Sequence, residues 1–261
     1  MGLGLGRERP GSGVTALLEV DALSKRFGGL LAVGGVSFAI DEGEIVSLIG
    51  PNGAGKTTAF NCITGLIPAT SGDIRLGGVS IKGFAPHRIA RAGIARTFQN
   101  IRLFSYMTAV DNVMVGEHWR LRSRVWQTVL KTPRSRAEER EAEGRALHLL
   151  GELGLDPYRD VFAHNLPHGL QRRLEIARAL SGRPRLLLLD EPAAGLNTQE
   201  KKDLMGTISQ LRQGGLTILL IEHDMRLVME VSDRVIVLDH GETIAAGPPT
   251  DVRRDPRVVE A

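Results

Sequence analysis

The sequence predicts an α/β fold with a parallel-sheet core, an N-terminal antiparallel β-lobe and an inserted helical subdomain. Three observations predict it. Residues 17–81 are dense in short strands and turns, residues 44–49 run as a strand through a glycine-rich loop into a helix, and beyond Leu170 helices and strands alternate. The 261 residues, 42% apolar and 24% charged, suffice for one generous domain or two small lobes with a real core.

Residues 1–15 read as a flexible lead-in, lacking the continuous apolar core of a secretory signal and the hydroxyl residue of a myristoylation site. Residues 16–261 are then a single domain. Within the β-lobe, Val36, Phe38 and Ile40 alternate with small or polar residues, and residues 74–81 read as a hairpin around Gly77 and Gly78. Residues 56–64 are expected to be a helix stopped at Gly65. From about residue 89 to 180 the chain is assigned to the helical subdomain. Its stretch 89–153 is charged and helical in character, with Leu147, Leu150 and Leu153 as an apolar stripe. The remaining pattern is helix 171–180, strand 185–190, helix 198–213 and strand 216–222. Asn197 with Glu200 starts the third of these, and Gly214-Gly215 ends it. No repeat or low-complexity tract interrupts the pattern.

No apolar run approaches the roughly 20 residues of a membrane-spanning helix. Any membrane role is therefore expected to be peripheral. The single cysteine, Cys62, excludes an internal disulfide and reads as a small buried hydrophobe rather than a nucleophile. A net charge of +3 permits anionic partners without demanding them.

Gly50-Pro51-Asn52-Gly53-Ala54-Gly55-Lys56-Thr57 satisfies the phosphate-loop pattern between a strand and a helix. Glycines there leave no Cβ in the way, so successive N–H groups can converge on phosphate oxygens at a helix N-terminus. Lys56 would neutralise the β and γ phosphates, Thr57 would offer its hydroxyl to Mg²⁺, and Thr58 would reach a neighbouring phosphate. Downstream, the apolar run 186–189 ends in Asp190 and Glu191, at the strand edge where ligands gather in parallel sheets. Asp190 is the candidate for Mg²⁺, through water, and Glu191 the candidate to polarise an attacking water.

On these residues the sequence resembles the nucleotide-binding subunits of ABC transporters over residues 17–250, nearly the whole chain. The resemblance implies an ATPase that works as a dimer with an identical or homologous subunit, against membrane-spanning permease subunits, at the cytoplasmic face of the membrane. Phe27, in Ser24-Lys25-Arg26-Phe27-Gly28, falls where that family stacks an aromatic on adenine, with a buried core phenylalanine as the alternative. Arg96-Thr97-Phe98-Gln99-Asn100 matches the glutamine loop, so Gln99 is expected at the metal and water. Residues 165–173, Asn-Leu-Pro-His-Gly-Leu-Gln-Arg-Arg, occupy the signature position. There Pro167 replaces the usual serine and Leu170 the usual glutamine, leaving Gly169 and the helix start at Gln171 to face the ATP of a partner. Ala194-Gly195-Leu196-Asn197 fits the loop crossing the dimer interface, and Ile221-Glu222-His223-Asp224 supplies a histidine, His223, for the γ-phosphate.

Residues 96–104, Met107-Thr108, and the stretches 191–197 and 221–225 look most like the branched-chain amino acid uptake branch. That implies an importer fed by an extracytoplasmic solute-binding protein. Related systems for urea, amides or lipid export share much of the architecture. Leu103, Phe104 and Met107 read either as anchors for a permease or as subdomain core, and residues 119–136, with two tryptophans and six Arg or Lys residues, as a solvated face or a lipid-facing one. No nucleic-acid partner is expected, because ABC ATPases of that kind carry a coiled-coil insertion or two cassettes. A non-catalytic regulatory subunit, suggested by Pro167 and Leu170, is opposed by the presence of Glu191 and His223.

Overall fold

The computed structural model describes residues 16–120 and 133–260. The lead-in and the Trp126-bearing part of the basic stretch, residues 121–132, lie outside the described residues. β1 (Ala16–Phe27) and β2 (Leu30–Asp41) open the described chain, followed by β3 (Ile45–Ile49), α1 (Lys56–Ile63), β4 (Ser71–Leu76) and β5 (Val79–Ser80). Next come α2 (Pro86–Ala92), β6 (Ile94–Arg96), α3 (Ala109–Gly116) and α4 (Pro133–Glu152). The C-terminal half alternates α5 (His168–Ser181), β7 (Leu186–Asp190), α6 (Thr198–Gln213), β8 (Thr217–Ile221), α7 (Met225–Val231) and β9 (Arg234–Asp239). It closes on β10 (Glu242–Gly247) and two short helices, α8 (Pro249–Val252) and α9 (Pro256–Glu260).

Among the described residues the strands form two sheets. The antiparallel lobe has the order β2-β1-β4-β5, with Leu76 opposite Val79 across the Gly77-Gly78 turn. The second sheet has the order β10-β9-β3-β8-β7-β6, parallel except for β10 at its edge. Its inner strands are buried on both faces, which is why β7 reads as an uninterrupted apolar run rather than an alternating one. Side chains still alternate by face: Leu186, Leu188, Leu219 and Ile221 pack with Phe60 of α1, while Leu187, Leu189, Ile218 and Leu220 pack with Leu204 and Ile208 of α6. Cys62 lies in the first of these cores, where burial pushes its thiol up against the weaker pull of Lys25.

A third apolar cluster belongs to the helical part, where Val113, Ala146, Leu150, Leu153, Leu174 and Ala177 join α3, α4 and α5. Leu103 packs against it, whereas Phe104 remains exposed. The first residues assigned to the helical segment belong elsewhere. Ile94, Ala95 and Arg96 pair in parallel with Leu186, Leu187 and Leu188, and Ile89 and Ile94 pack in the core around Phe60. Three residues are too few to display a strand period, and the pairing that makes them a strand comes from a segment 92 positions away, so nothing local announces it. The signature helix also begins three residues before 171, with Pro167 as its N-cap and no capping side chain.

The start of α6 follows the expected pattern: Asn197 accepts the Glu200 N–H, and the Glu200 carboxylate accepts the Asn197 N–H at 2.9 Å. Asn197→Ala removes the acceptor for an otherwise orphaned donor, and is expected to lower the unfolding free energy by about 1 kcal/mol. A lower urea midpoint at unchanged slope would show this; an unchanged midpoint would contradict it.

Candidate nucleotide site

β3 leads directly into the loop at Gly50. The Gly50 and Gly55 backbones stand at φ 144° and 97°, and a Cβ would lie 2.0 Å from the Leu238 carbonyl oxygen at the first and 2.4 Å from the Ala32 carbonyl oxygen at the second. The loop is thus wedged between β9 and β2, and any side chain at either position would displace backbone. Ala54 is buried inside the curve, with its N–H on the Pro51 carbonyl and its own carbonyl accepting the Gly241 N–H, while Pro51, Asn52 and Gly53 are exposed. Gly55 caps α1 without a side chain, so the first-turn N–H groups of Lys56, Thr57 and Thr58 face the loop's concavity with the positive end of the helix dipole.

The Lys56 ammonium is buried within that concavity and donates to the Gly50 and Pro51 carbonyls, each at 2.8 Å. Burial lowers its pKa from the ordinary lysine value, opposed by the charges of Glu191 and Asp190. Those two carboxylates stand at the end of β7. Asp190 is buried, and its Oδ2 accepts from Arg96 Nη2 at 2.6 Å. Arg96 also donates to Asn61 Oδ1 and Thr64 Oγ1, and its guanidinium lies 5.5 Å and 5.2 Å from the ring centres of Phe60 and Phe98. Sequence reading placed Arg96 only as part of the glutamine loop. Its role as partner of Asp190 follows from β6 lying beside β7.

Glu191 has φ 46°, a left-handed conformation that is uncommon and costly for a side chain of this kind. The kink turns its carboxylate out of the strand direction, and its N–H is held by the Ile221 carbonyl at 2.9 Å. Gln99 Nε2 donates to Glu191 Oε2 at 2.8 Å, and His223 Nδ1 stands 3.8 Å from the same oxygen. Gln99, Glu191 and His223, from three separate loops, therefore meet at one atom. Glu222 builds the floor beneath them: fully buried, it accepts the Ala193 N–H on Oε1 and the His223 and Asp224 N–H groups on Oε2. The sequence marked Glu222 only as a neighbour of His223, and an acid closing a buried strand was the one signal available.

The other expected residues are not bonded to this cluster. Among the described residues, no hydrogen bond or ion pair joins Phe27, Gly169, Gln171 or Asn197 to Lys56, Asp190 or Glu191. Phe27 is 48% exposed with the Lys25 ammonium 4.9 Å from its ring centre, so it is not a core residue. Gly169 is buried against α6, where a Cβ would lie 2.7 Å from Glu200 Oε1. Gln171 differs from its expected place at a helix start. Its N–H is bonded to the Pro167 carbonyl and its side-chain amide to the Ala163 and Leu166 carbonyls, so the open donors of α5 belong to residues 168–170. The Asn197 side chain is engaged in capping α6.

No group of three or more His, Cys, Asp or Glu side chains able to hold a metal occurs among the described residues. A buried aspartate with one oxygen on Arg96, and an exposed Thr57 in the first turn of α1, suit a hydrated cation that brings phosphate and water ligands with it, which is how Mg²⁺ binds.

Comparison with known proteins agrees with this geometry. Residues 33–194 match the family described as ABC transporter. The high-affinity branched-chain amino acid transport ATP-binding protein BraF of Pseudomonas aeruginosa is 51% identical over 246 residues, 94% of this chain and 96% of that protein. The crystal structure of the ADP conformation of an ATP-binding cassette of an ABC transporter superposes with a TM-score of 0.82 at 31% identity, over 94% of this chain and 97% of that one. A dimeric cassette in a post-hydrolysis state, bound to ADP and Pi, gives a TM-score of 0.74 at 25% identity, over 89% and 98% of the two chains. With a phosphate loop, a paired aspartate and a glutamate–glutamine–histidine cluster on one sheet edge, and with relatives of this kind along its length, the chain belongs to the ABC transporter family as an ATP-binding cassette.

Proposed function

We propose that this chain is the ATP-hydrolysing subunit of an importer and energises uptake of branched-chain amino acids through permease subunits that it does not contain. The observation that carries the catalytic part is the meeting of Gln99 and His223 at Glu191 Oε2. The solute class rests on 51% identity along nearly the full length of BraF.

In this reading the backbone from Gly50 to Gly55 and the N–H groups of residues 56–58 wrap the phosphates, and the Lys56 ammonium moves from the loop carbonyls onto the β and γ oxygens. Thr57 and Asp190 would hold Mg²⁺, with Gln99 beside them, and the cation when bound withdraws charge from the phosphate oxygens. Glu191 orients a water and accepts its proton as the water oxygen bonds to the γ-phosphorus and the bond to the β–γ bridging oxygen breaks, giving ADP and phosphate. His223, two-thirds exposed, is free to turn to the γ-phosphate. The exposed ring of Phe27 receives adenine.

That Gly169 and the 168–170 donors share no hydrogen bond with this cluster fits a site completed by a second subunit, identical or homologous, whose signature helix approaches the γ-phosphate and whose loop at Asn197 lines the interface. Pro167 and Leu170 leave that approach to the backbone donors of residues 168–170 and the helix dipole. A cavity of about 280 Å³ lined by Ile89, Ile94, Phe98, Trp119 and Arg178 lies beside the Gln99 loop and would take a permease segment, with the exposed Phe104 at its margin. No described helix is long and apolar enough to cross a membrane. In this reading attachment at the cytoplasmic face is through those permeases, with a solute-binding protein delivering from the other side.

Purification of the chain from native membranes in mild detergent is expected to recover polytopic membrane proteins and a sister ATPase in stoichiometric amounts; their absence would contradict the importer. Glu191→Gln is expected to lower turnover by about 10²-fold or more while sparing ATP binding. Near-normal turnover would remove Glu191 from its role. Lys56→Ala removes the main positive charge over the triphosphate and is expected to weaken nucleotide binding itself, measured by titration calorimetry. Unchanged affinity for Mg-ATP would place the phosphates elsewhere.

A further inference from the structure

The largest fully buried side chain among the described residues is Arg172, in the second turn of α5, and Glu175 one turn on is buried as completely. Their ion pair, Nη1 to Oε2 at 2.9 Å, is only part of what they do. Arg172 also donates to the carbonyls of Phe98 and Gln99, each at 2.8 Å, and Glu175 Oε1 accepts the N–H groups of Phe98 and Arg102, each at 3.3 Å. The pair therefore grips the backbone on both sides of Gln99.

The same stretch is tied to the lead-in of α5 at its far end. The Ala163 N–H bonds the Met107 carbonyl at 2.9 Å, the His164 N–H bonds the Ser105 carbonyl at 3.2 Å, and Thr108 bridges Phe162. Gln99 thus has its backbone fixed to α5 and its side chain fixed to Glu191 at the end of β7. Burying an ion pair to join two segments is seldom more stabilising than apolar packing, so its use here points to geometry rather than to stability.

We propose that Arg172 and Glu175 are a positioning pair that makes the Gln99–Glu191 contact depend on the placement of α5. In the dimer given under Proposed function the start of α5 meets the second nucleotide, so hydrolysis at one site then follows closure on the other. This rests on the roles of Gln99 and Glu191 given under Proposed function, and it adds two residues that touch neither nucleotide nor water.

The test is a mutant cycle on the full chain, reading steady-state Mg-ATP turnover. Joint replacement Arg172→Met with Glu175→Leu removes both charges and keeps the volume but takes their partners from the Phe98 and Gln99 carbonyls and the Phe98 and Arg102 N–H groups, so a lower urea midpoint is expected and turnover is read far below it, where the chain is folded. Turnover is expected to fall about 10-fold or more with KM for ATP changed less than about twofold, and Gln99→Ala added to it is expected to cost nothing further. Should the joint variant fail to fold, Arg172→Lys, which keeps the charge but replaces the two-nitrogen fork on the Phe98 and Gln99 carbonyls by a single ammonium, takes its place in the same cycle. Unchanged turnover, or effects of the pair and of Gln99→Ala that multiply, would overturn the positioning role alone. A silent Gln99→Ala in the otherwise native chain would overturn the reading of Gln99 and, with it, the pair.

Discussion

Ile221 stands opposite Leu48 on one side and Asp190 on the other, and the site depends on that register. Three parallel strands held in this alignment end together, so the phosphate loop after β3, the carboxylates after β7 and the His223 loop after β8 emerge along one edge. A slip of one residue in β7 would exchange the faces of Leu186–Leu189 and turn Asp190 away. The two apolar layers that clamp the sheet, around Phe60 on one side and Leu204 on the other, oppose such a slip because each face already has its own set of side chains.

That edge collects charge in a place where charge is costly. Asp190, Glu222 and Lys56 are all buried, and each is satisfied by a group from another element: Arg96 from β6, the Ala193 and His223 amides, and the Gly50 and Pro51 carbonyls. In the proposed role Lys56 exchanges its two carbonyls for phosphate oxygens, while Asp190 and Glu222 keep the partners they have. Glu191 is the exception. It is partly exposed, on a strained backbone, and shared between Gln99 and His223, which suits a group that has to change partners when water and γ-phosphate enter.

What was legible in the sequence was local. The phosphate loop, the apolar strand ending in Asp190 and Glu191, the Asn197–Glu200 cap and the Gly77-Gly78 hairpin each announce themselves within a few residues, and each is an element of the structure. What stayed hidden was built across long separations. Ile94–Arg96 is a strand only because Leu186–Leu188 lies beside it, and Arg96 meets Asp190 for the same reason. The helix start expected at Gln171 lies three residues late, because α5 begins at His168 directly after Pro167, which needs no N–H at the cap. Glu222 and Arg172 are charged residues in apolar surroundings, and their partners are main-chain groups that no residue pattern records.

Cys62 carries a practical consequence. It is the sole cysteine of the chain, it lies within the core behind the phosphate loop, and burial keeps it in the thiol form. Alkylating reagents and spin-label or fluorophore maleimides attack thiolates that solvent can reach, so the native chain offers them a poor target. A cysteine introduced at an exposed position such as Tyr106 or Val259 would be the one site to react, and distances between two such probes could follow the opening and closing of a pair of subunits without first stripping the native residue from the core.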